Sequence, residues 1–200
     1  MSELSELYEA IARCQKCALA RTRTHTVPGE GPEGAKIMFI GEAPGFHEDK
    51  QGRPFVGAAG QFLEQLLASI NMRRDQVVIA NVIKCRPPGN REPLPDEIEA
   101  CRPFLDRQLE IIKPKVIITL GRFSMARFFP DASISRIHGQ PAKRDGYVVI
   151  PMFHPAAALH QPRYRSLIEE DFRKIPAILA ELDRVADEQP PAQPEQLSLF

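Results

Sequence analysis

Ile37-Met38-Phe39-Ile40, followed at once by Gly41-Glu42-Ala43-Pro44-Gly45, leaves this chain the least freedom. Four consecutive apolar side chains alternate between the two faces of a strand, so both faces need cover, which is the condition of a strand inside a parallel sheet. Two glycines and a proline within five residues then force a tight turn. They leave a carboxylate, Glu42, at the carboxyl end of the strand, where open α/β sheets bind ligands. Taken alone, that acid reads equally well as a helix cap or a solvated loop residue.

Three more apolar runs share this character. Residues 77–83 are broken by one polar side chain, Asn81, near the end; residues 116–120 stop at Gly121; residues 147–152 stop at Phe153-His154-Pro155. Helical spacing separates them: Leu4, Leu7, Ile11 and Ala12; residues 61–67, ending near Asn71; a helix from about Pro95 that carries Cys101; one from Gly121 to about Phe129; and one over roughly 166–185. The alternation predicts an α/β protein, a three-layer α/β/α sandwich with a four-stranded, mainly parallel central sheet. Glu42, Asn81 and His154 then fall on one edge of that sheet. A buried Asn81 amide needs partners, and main-chain groups are the plainest ones. Gly29-Glu30-Gly31-Pro32-Glu33-Gly34 formally matches a dinucleotide-binding fingerprint, but it precedes a strand instead of following one and contains proline, so it reads as a loop.

Two hundred residues with 43% hydrophobic side chains suit one domain, residues 1–186. Residues 187–200 turn proline-rich, lose apolar periodicity and read as a disordered tether. With 26 basic and 26 acidic residues the net charge is zero, so any nucleic-acid contact must come from a local cluster. No apolar run has the length of a membrane span, and the first residues lack the basic start and apolar core of a signal peptide, so a cytoplasmic location is expected. Cys14 and Cys17 are spaced as a metal clamp, and Cys85 and Cys101 bracket a basic loop, residues 84–91. Four thiolates without histidine fit tetrahedral zinc or a cubane iron–sulfur cluster; four unliganded core cysteines are the plainer alternative.

Taken together, Gly41-Glu42-Ala43-Pro44-Gly45, Gly52-Arg53-Pro54-Phe55-Val56-Gly57, Asn81-Val82-Ile83-Lys84-Cys85-Arg86-Pro87-Pro88-Gly89-Asn90-Arg91 and His154-Pro155 resemble the family 4, iron–sulfur type of uracil-DNA glycosylases, over residues 14–182. The resemblance implies a monofunctional enzyme that hydrolyses the N-glycosidic bond of deoxyuridine in single- and double-stranded DNA, releasing uracil and starting base excision repair. It implies a [4Fe-4S] cluster on Cys14, Cys17, Cys85 and Cys101. It implies a uracil pocket in which Gly41, Glu42 and Ala43 form the lining turn, Phe55 stacks on the base, Asn81 reads its polar edge and His154 meets the O2 side. Glu42 would orient the attacking water, with Glu48 and Asp49 as alternatives. Position 43 is Ala where other members can have Gly, which bears on the depth of the pocket. Residues 156–165 resemble the family's DNA-intruding loop, with Leu159 and Tyr164 as wedges and Arg163 and Arg165 on phosphates. Arg136-Ile137-His138 is a further basic turn with a backbone-contact reading. A related group traps DNA on a histidine in an insert after the second strand; that loop is short here and has none, so turnover is expected.

The last residues, Gln196-Leu197-Ser198-Leu199-Phe200, resemble the peptide by which bacterial repair and replication proteins dock on the sliding clamp. An apolar cluster on a flexible leash wants a partner pocket, here through Gln196, Leu197, Leu199 and Phe200. A monomer without membrane attachment is expected. The rival reading is an iron–sulfur protein that binds nucleic acid without catalysis. Zinc deaminase and zincin readings fail because neither H-x-E nor H-E-x-x-H occurs.

Overall fold

The computed structural model describes residues 2–188. In chain order they form α1 (Glu3–Ala12), β1 (Ile37–Gly41), α2 (Phe46–Gln51), α3 (Ala58–Ser69), β2 (Val78–Asn81), α4 (Pro95–Ile112), β3 (Val116–Leu120), α5 (Arg122–Ala126), α6 (Ile134–Ile137), β4 (Ala142–Arg144), β5 (Tyr147–Met152), α7 (Pro155–His160) and α8 (Arg163–Glu188). One sheet runs in the order β2-β1-β3-β5-β4. The first four of these strands are parallel neighbours, and β4 pairs antiparallel with β5.

The apolar runs become strands because each side of them is used. Met38, Ile40, Val78, Ala80, Ile117 and Val149 face one layer, packing with Leu4 and Ile11 of α1 and Phe104, Leu105 and Leu109 of α4. Ile37, Phe39, Ile79, Val116, Ile118 and Ile150 face the other, against Phe62, Leu63, Leu66 and Leu67 of α3 and Ile168, Phe172 and Ile175 of α8. The strict alternation is the period of two that a strand imposes, and it yields the three layers expected.

The strand count differs from expectation: the sheet has five strands, not four. Ala142-Lys143-Arg144 carries no apolar alternation, because β4 is an edge strand with one partner and its charged side chains guard the open side. Its signal was the two-residue Asp145-Gly146 turn, with φ of 49° and 83°, the left-handed pair that closes a tight hairpin. Helix bounds moved as well. The helix after β3 stops at Ala126, short of Phe129, and the last one begins at Arg163 and continues through Glu188, past the expected boundary at residue 186.

The glycine loop before β1 is structural, as its position implied. Glu30 bridges Ile79 in antiparallel fashion, and Gly31, at φ 132°, lies so close to β2 that a Cβ would stand 2.7 Å from Val78 Cα.

Since β1 is flanked by β2 on one side and β3 on the other, the connections diverge beside it. The crevice at this switch point lies at the carboxyl ends of β1, β2, β3 and β5. Gly41 pairs with Asn81 in register, and the Gly121 amide donates to the Met152 carbonyl at 2.8 Å, which brings the ends of β3 and β5 level.

Candidate active site

A cleft opens over this edge, lined by Glu42 and Ala43 after β1, Phe55, Asn81 at the end of β2, the loop residues Arg91 and Glu92, and His154 with Ala156 and Ala157 beyond β5. The structure therefore gathers Glu42, Ala43, Phe55, Asn81 and His154 at one place, as the sequence implied, with Gly41 behind them. Gly41 matters by what it lacks. A Cβ there would collide with the Asn81 amide oxygen and stand 2.7 Å from two carbons of the Phe55 ring. Bare backbone at this position lets amide and ring share one wall.

Asn81 is 2% exposed, and its side-chain oxygen has no hydrogen-bond partner among the described residues. An unpaired buried amide oxygen costs roughly 1–3 kcal/mol, so its retention at a cleft wall points to a ligand donor. The plainer expectation, that main chain satisfies the amide, is not what the structure has. Its main chain, by contrast, is well held. The buried Lys84 ammonium donates to the Asn81 carbonyl at 2.7 Å and to Gln108 Oε1 at 2.6 Å, and Gln108 Nε2 donates to the Pro28 carbonyl at 2.8 Å. Burial pulls the Lys84 pKa down to about 8, with a smaller opposing influence from Cys101.

Phe55 adopts φ 51°, a left-handed conformation unusual for a bulky residue. Three features hold it there. Arg74 donates to the Phe55 carbonyl at 2.8 Å and also to that of Pro54, while pairing with Glu30. Glu48 Oε1 accepts from the Val56 and Gly57 amides at 2.9 and 3.0 Å. Gly60, in the first turn of α3, leaves room for the Phe55 carbonyl, which any Cβ would overlap. Strain fixed in this way at a cleft wall is characteristic of a preorganised binding surface.

His154 caps α7: its Nδ1 accepts from the Ala156 amide at 3.1 Å. That bond puts the ring proton on Nε2, leaving a donor free. One edge of the ring is open to the cleft, but the protein packed around it makes burial dominant and lowers its pKa to about 4, against a weak upward pull from Glu48. The imidazole is neutral at ordinary pH. Its ring lies 5.5 Å from that of Phe55, 24° from parallel. Gly121, at φ 94°, backs it, with space for a Cβ only 3.2 Å from His154 Cβ.

The three acids separate by their partners. Glu48 takes the Val56, Gly57 and Gly45 amides, the last at 3.1 Å. Asp49 is buried and accepts from the Thr24 amide at 2.8 Å. Both are spent on the backbone. The Glu42 carboxylate makes no hydrogen bond within the described residues, and burial followed by the charge of Glu92 raises its pKa, with Arg122 opposing. The sequence left these three acids open; the roles of Glu48 and Asp49 were illegible in it because their partners are main-chain amides.

The cysteines form a second centre. Cys14 follows α1, Cys17 precedes a 3-10 turn, Cys85 follows β2 and Cys101 lies in α4; all four are free thiols lining one small pocket of about 10 Å3. Ile11, Leu19, Ile83 and Phe104 supply apolar walls. Donors reach three of the sulfurs: the Lys16 amide to Cys14 at 3.5 Å, Arg23 to Cys85 at 3.2 Å and the Lys84 amide to Cys101 at 3.3 Å. Burial pushes the Cys85 thiol up to about 11 and raises that of Cys101, while Arg23 and Lys84 respectively pull the other way. No three His, Cys, Asp or Glu side chains among the described residues converge on one ion's position. The donor set suits a multi-iron group: four sulfurs, spread around an apolar hollow, with N–H groups aimed at them.

Residues 156–165 are not an open loop. They comprise α7, the first turn of α8 and a short join, and Tyr164 packs on Phe153 with centroids 4.8 Å apart. Tyr164 is thus part of the scaffold, whereas Leu159 is 49% exposed. His138 is tied to the buried Asp171 at 2.7 Å. Residues 196–200 lie outside those described.

The uracil DNA glycosylase superfamily model matches residues 28–179. The chain is 51% identical over 185 residues to the type-4 uracil-DNA glycosylase of Sulfurisphaera tokodaii, covering 88% of this chain and 84% of that one. It is 47% identical over 184 residues to the type-4 uracil-DNA glycosylase of Archaeoglobus fulgidus (88% and 92% covered) and 46% identical over 190 residues to that of Saccharolobus solfataricus (90% and 88%).

Proposed function

This chain belongs to the uracil-DNA glycosylase superfamily, among its type-4 members, and from that premise we propose how its cleft releases uracil. The enzyme hydrolyses the N-glycosidic bond of deoxyuridine in DNA, leaving an abasic site from which base excision repair proceeds.

The unpaired Asn81 amide beside the Phe55 ring carries the reading of the site. A uracil turned out of the helix stacks on Phe55, and the Asn81 amide, with one donor and one acceptor, matches its N3–H and O4 and mismatches cytosine. As the C1′–N1 bond breaks, its electron pair passes to the base and collects on O2, while the sugar becomes cation-like. The neutral His154 offers Nε2–H to that oxygen, a contact that strengthens as charge develops. Glu42, whose carboxylate is neither bound to main-chain amides like that of Glu48 nor paired with an arginine like that of Glu92, offsets the sugar charge, orients water toward C1′ and takes its proton. Gly41 and Ala43 complete the wall. Replacing Asn81 or His154 with Ala should cut uracil release from a defined oligonucleotide by about 100-fold or more, as removal of a transition-state donor does; retained turnover in either variant overturns the assignment.

Cys14, Cys17, Cys85 and Cys101 would hold a [4Fe-4S] cluster. Four thiolates on one zinc would stand about 3.8 Å apart, given ~2.3 Å bonds, and no three His, Cys, Asp or Glu side chains among the described residues gather as they would around a single ion. When bound, the cluster supplies iron–thiolate crosslinks between the amino-terminal segment and the β2–α4 region. The reaction groups are all elsewhere.

In this reading the enzyme acts as a monomer in the cytoplasm on single- and double-stranded DNA. No helix among the described residues is long and apolar enough to cross a membrane. Through Gln196, Leu197, Leu199 and Phe200 the tail docks on a sliding clamp. Deleting residues 196–200 should abolish clamp pull-down and spare excision on short oligonucleotides; unchanged pull-down rejects the docking role.

A further inference from the structure

Phe46 has no part in the chemistry above, yet it lines the same cleft and is 48% exposed, the one exposed phenylalanine among the described residues. Leaving such a ring in water forgoes the stabilisation that burial gives, and a core position would be its ordinary place. Two cations attend it from different segments. The Arg86 guanidinium, from the loop after β2, lies 5.2 Å from the ring centroid, and the Lys50 ammonium, one turn along α2, lies 5.8 Å away. Neither has a carboxylate partner among the described residues; Arg86 Nε is fixed by Asn90 Oδ1 at 2.6 Å. Other cations near the cleft are neutralised, Arg91 by Glu97 and Arg122 by Glu92. A half-exposed ring with two unneutralised cations over it, beside a cleft that accepts a base, matches a nucleotide once the cations swing from the ring to its phosphates: base on ring, phosphates on cations.

We propose that Phe46 stacks on the base of a nucleotide flanking the target deoxyuridine, with Lys50 and Arg86 meeting the adjoining phosphates. This rests on the cleft being the uracil site. The contact is made to DNA outside the reacting nucleotide, so it contributes to binding and leaves the bond-breaking step alone.

The test uses the full-length holoenzyme and three single-stranded oligonucleotides with one uracil: one with ordinary flanks, one with a tetrahydrofuran residue lacking a base on the 5′ side, and one with it on the 3′ side. Phe46→Ala should raise KM about tenfold on the ordinary oligonucleotide, with kcat within twofold, as loss of one stacked base does. On one of the two gapped oligonucleotides wild type and Phe46→Ala should have the same KM, and Phe46→Trp should restore the ordinary value. Lys50→Ala should flatten the dependence of log KM on log salt by about 0.7, one phosphate contact on a single strand. An unchanged KM for Phe46→Ala, an equal rise on all three oligonucleotides, or a fall in its melting temperature that accounts for the loss would overturn the stacking role; an unaltered salt slope would remove Lys50 from it. Failure of the cleft reading has a different signature, full turnover by Asn81→Ala on the ordinary oligonucleotide.

Discussion

The cleft and the cysteine cavity share the short segment from Asn81 to Cys85, yet they treat polar atoms in opposite ways. Around the cleft, groups are left wanting: the Asn81 amide oxygen is unpaired, the Glu42 carboxylate is free, and His154 spends one ring nitrogen on its helix and keeps the other. Around the cavity, three of the four sulfurs receive N–H donors and the walls are apolar. Unmet hydrogen-bonding capacity in a rigid wall marks a place that completes itself with a passing substrate. Sulfurs already supplied with donors between apolar walls fit the resident group proposed for them.

That contrast can be broken most severely at Glu42. Glu42→Gln should lower kcat by about 100-fold or more, the range of a lost general base, with little change in melting temperature. Glu48→Gln should do the reverse, lowering the melting temperature through its three backbone bonds; if the two variants behave alike, the division between free and committed acids is wrong. Gly41→Ala comes next. Its methyl enters the space of the Asn81 amide and Phe55 ring, and displacement of about 1 Å at a reacting site costs on the order of 100-fold in kcat/KM. Bound iron should be unchanged, because the cavity lies elsewhere; loss of both would show that the two regions are not separable.

Cys101→Ser acts from the other side. It should reduce bound iron and lower the melting temperature by about 10 °C, since loss of a few kcal/mol shifts a domain of this size by 2–4 °C per kcal/mol. Full iron content in that variant would remove Cys101 from the ligand set. The smallest effect is in pH dependence. With a folded pKa near 4, His154 stays neutral through the range where an ordinary histidine titrates, so the acid limb of kcat belongs to Glu42, lies above 4.5 and disappears in Glu42→Gln. Stability follows the same sign. Between about 4 and 6.5 the unfolded histidine binds a proton that the folded one refuses, so stability falls as pH falls through this window, and His154→Gln should flatten the slope.

The sheet and the members of the cleft were legible because apolar runs declare buried strands and because the polar residues ending them sit at parallel carboxyl edges. Glu42, Asn81 and His154 announced themselves this way, and the motif resemblance added Phe55. β4 was not legible, having one strand neighbour and no apolar face to reveal. Glu48 and Arg74 were hidden for another reason: they act on the main chain of residues 54–57, and a sequence does not display who meets a carbonyl. Tyr164 misled by its surroundings, since a tyrosine among arginines reads as a surface wedge until Phe153 is found beneath it.

Asn81 and Cys85 occupy opposite ends of one short run of chain, with the Lys84 ammonium clamped between strand and α4. The segment therefore works like a fret shared by two strings. Were a cluster seated on these thiolates as proposed, an oxidant that removed it would slacken the stretch on which base recognition is mounted, so corrosion at a buried place would be felt as deafness at the surface.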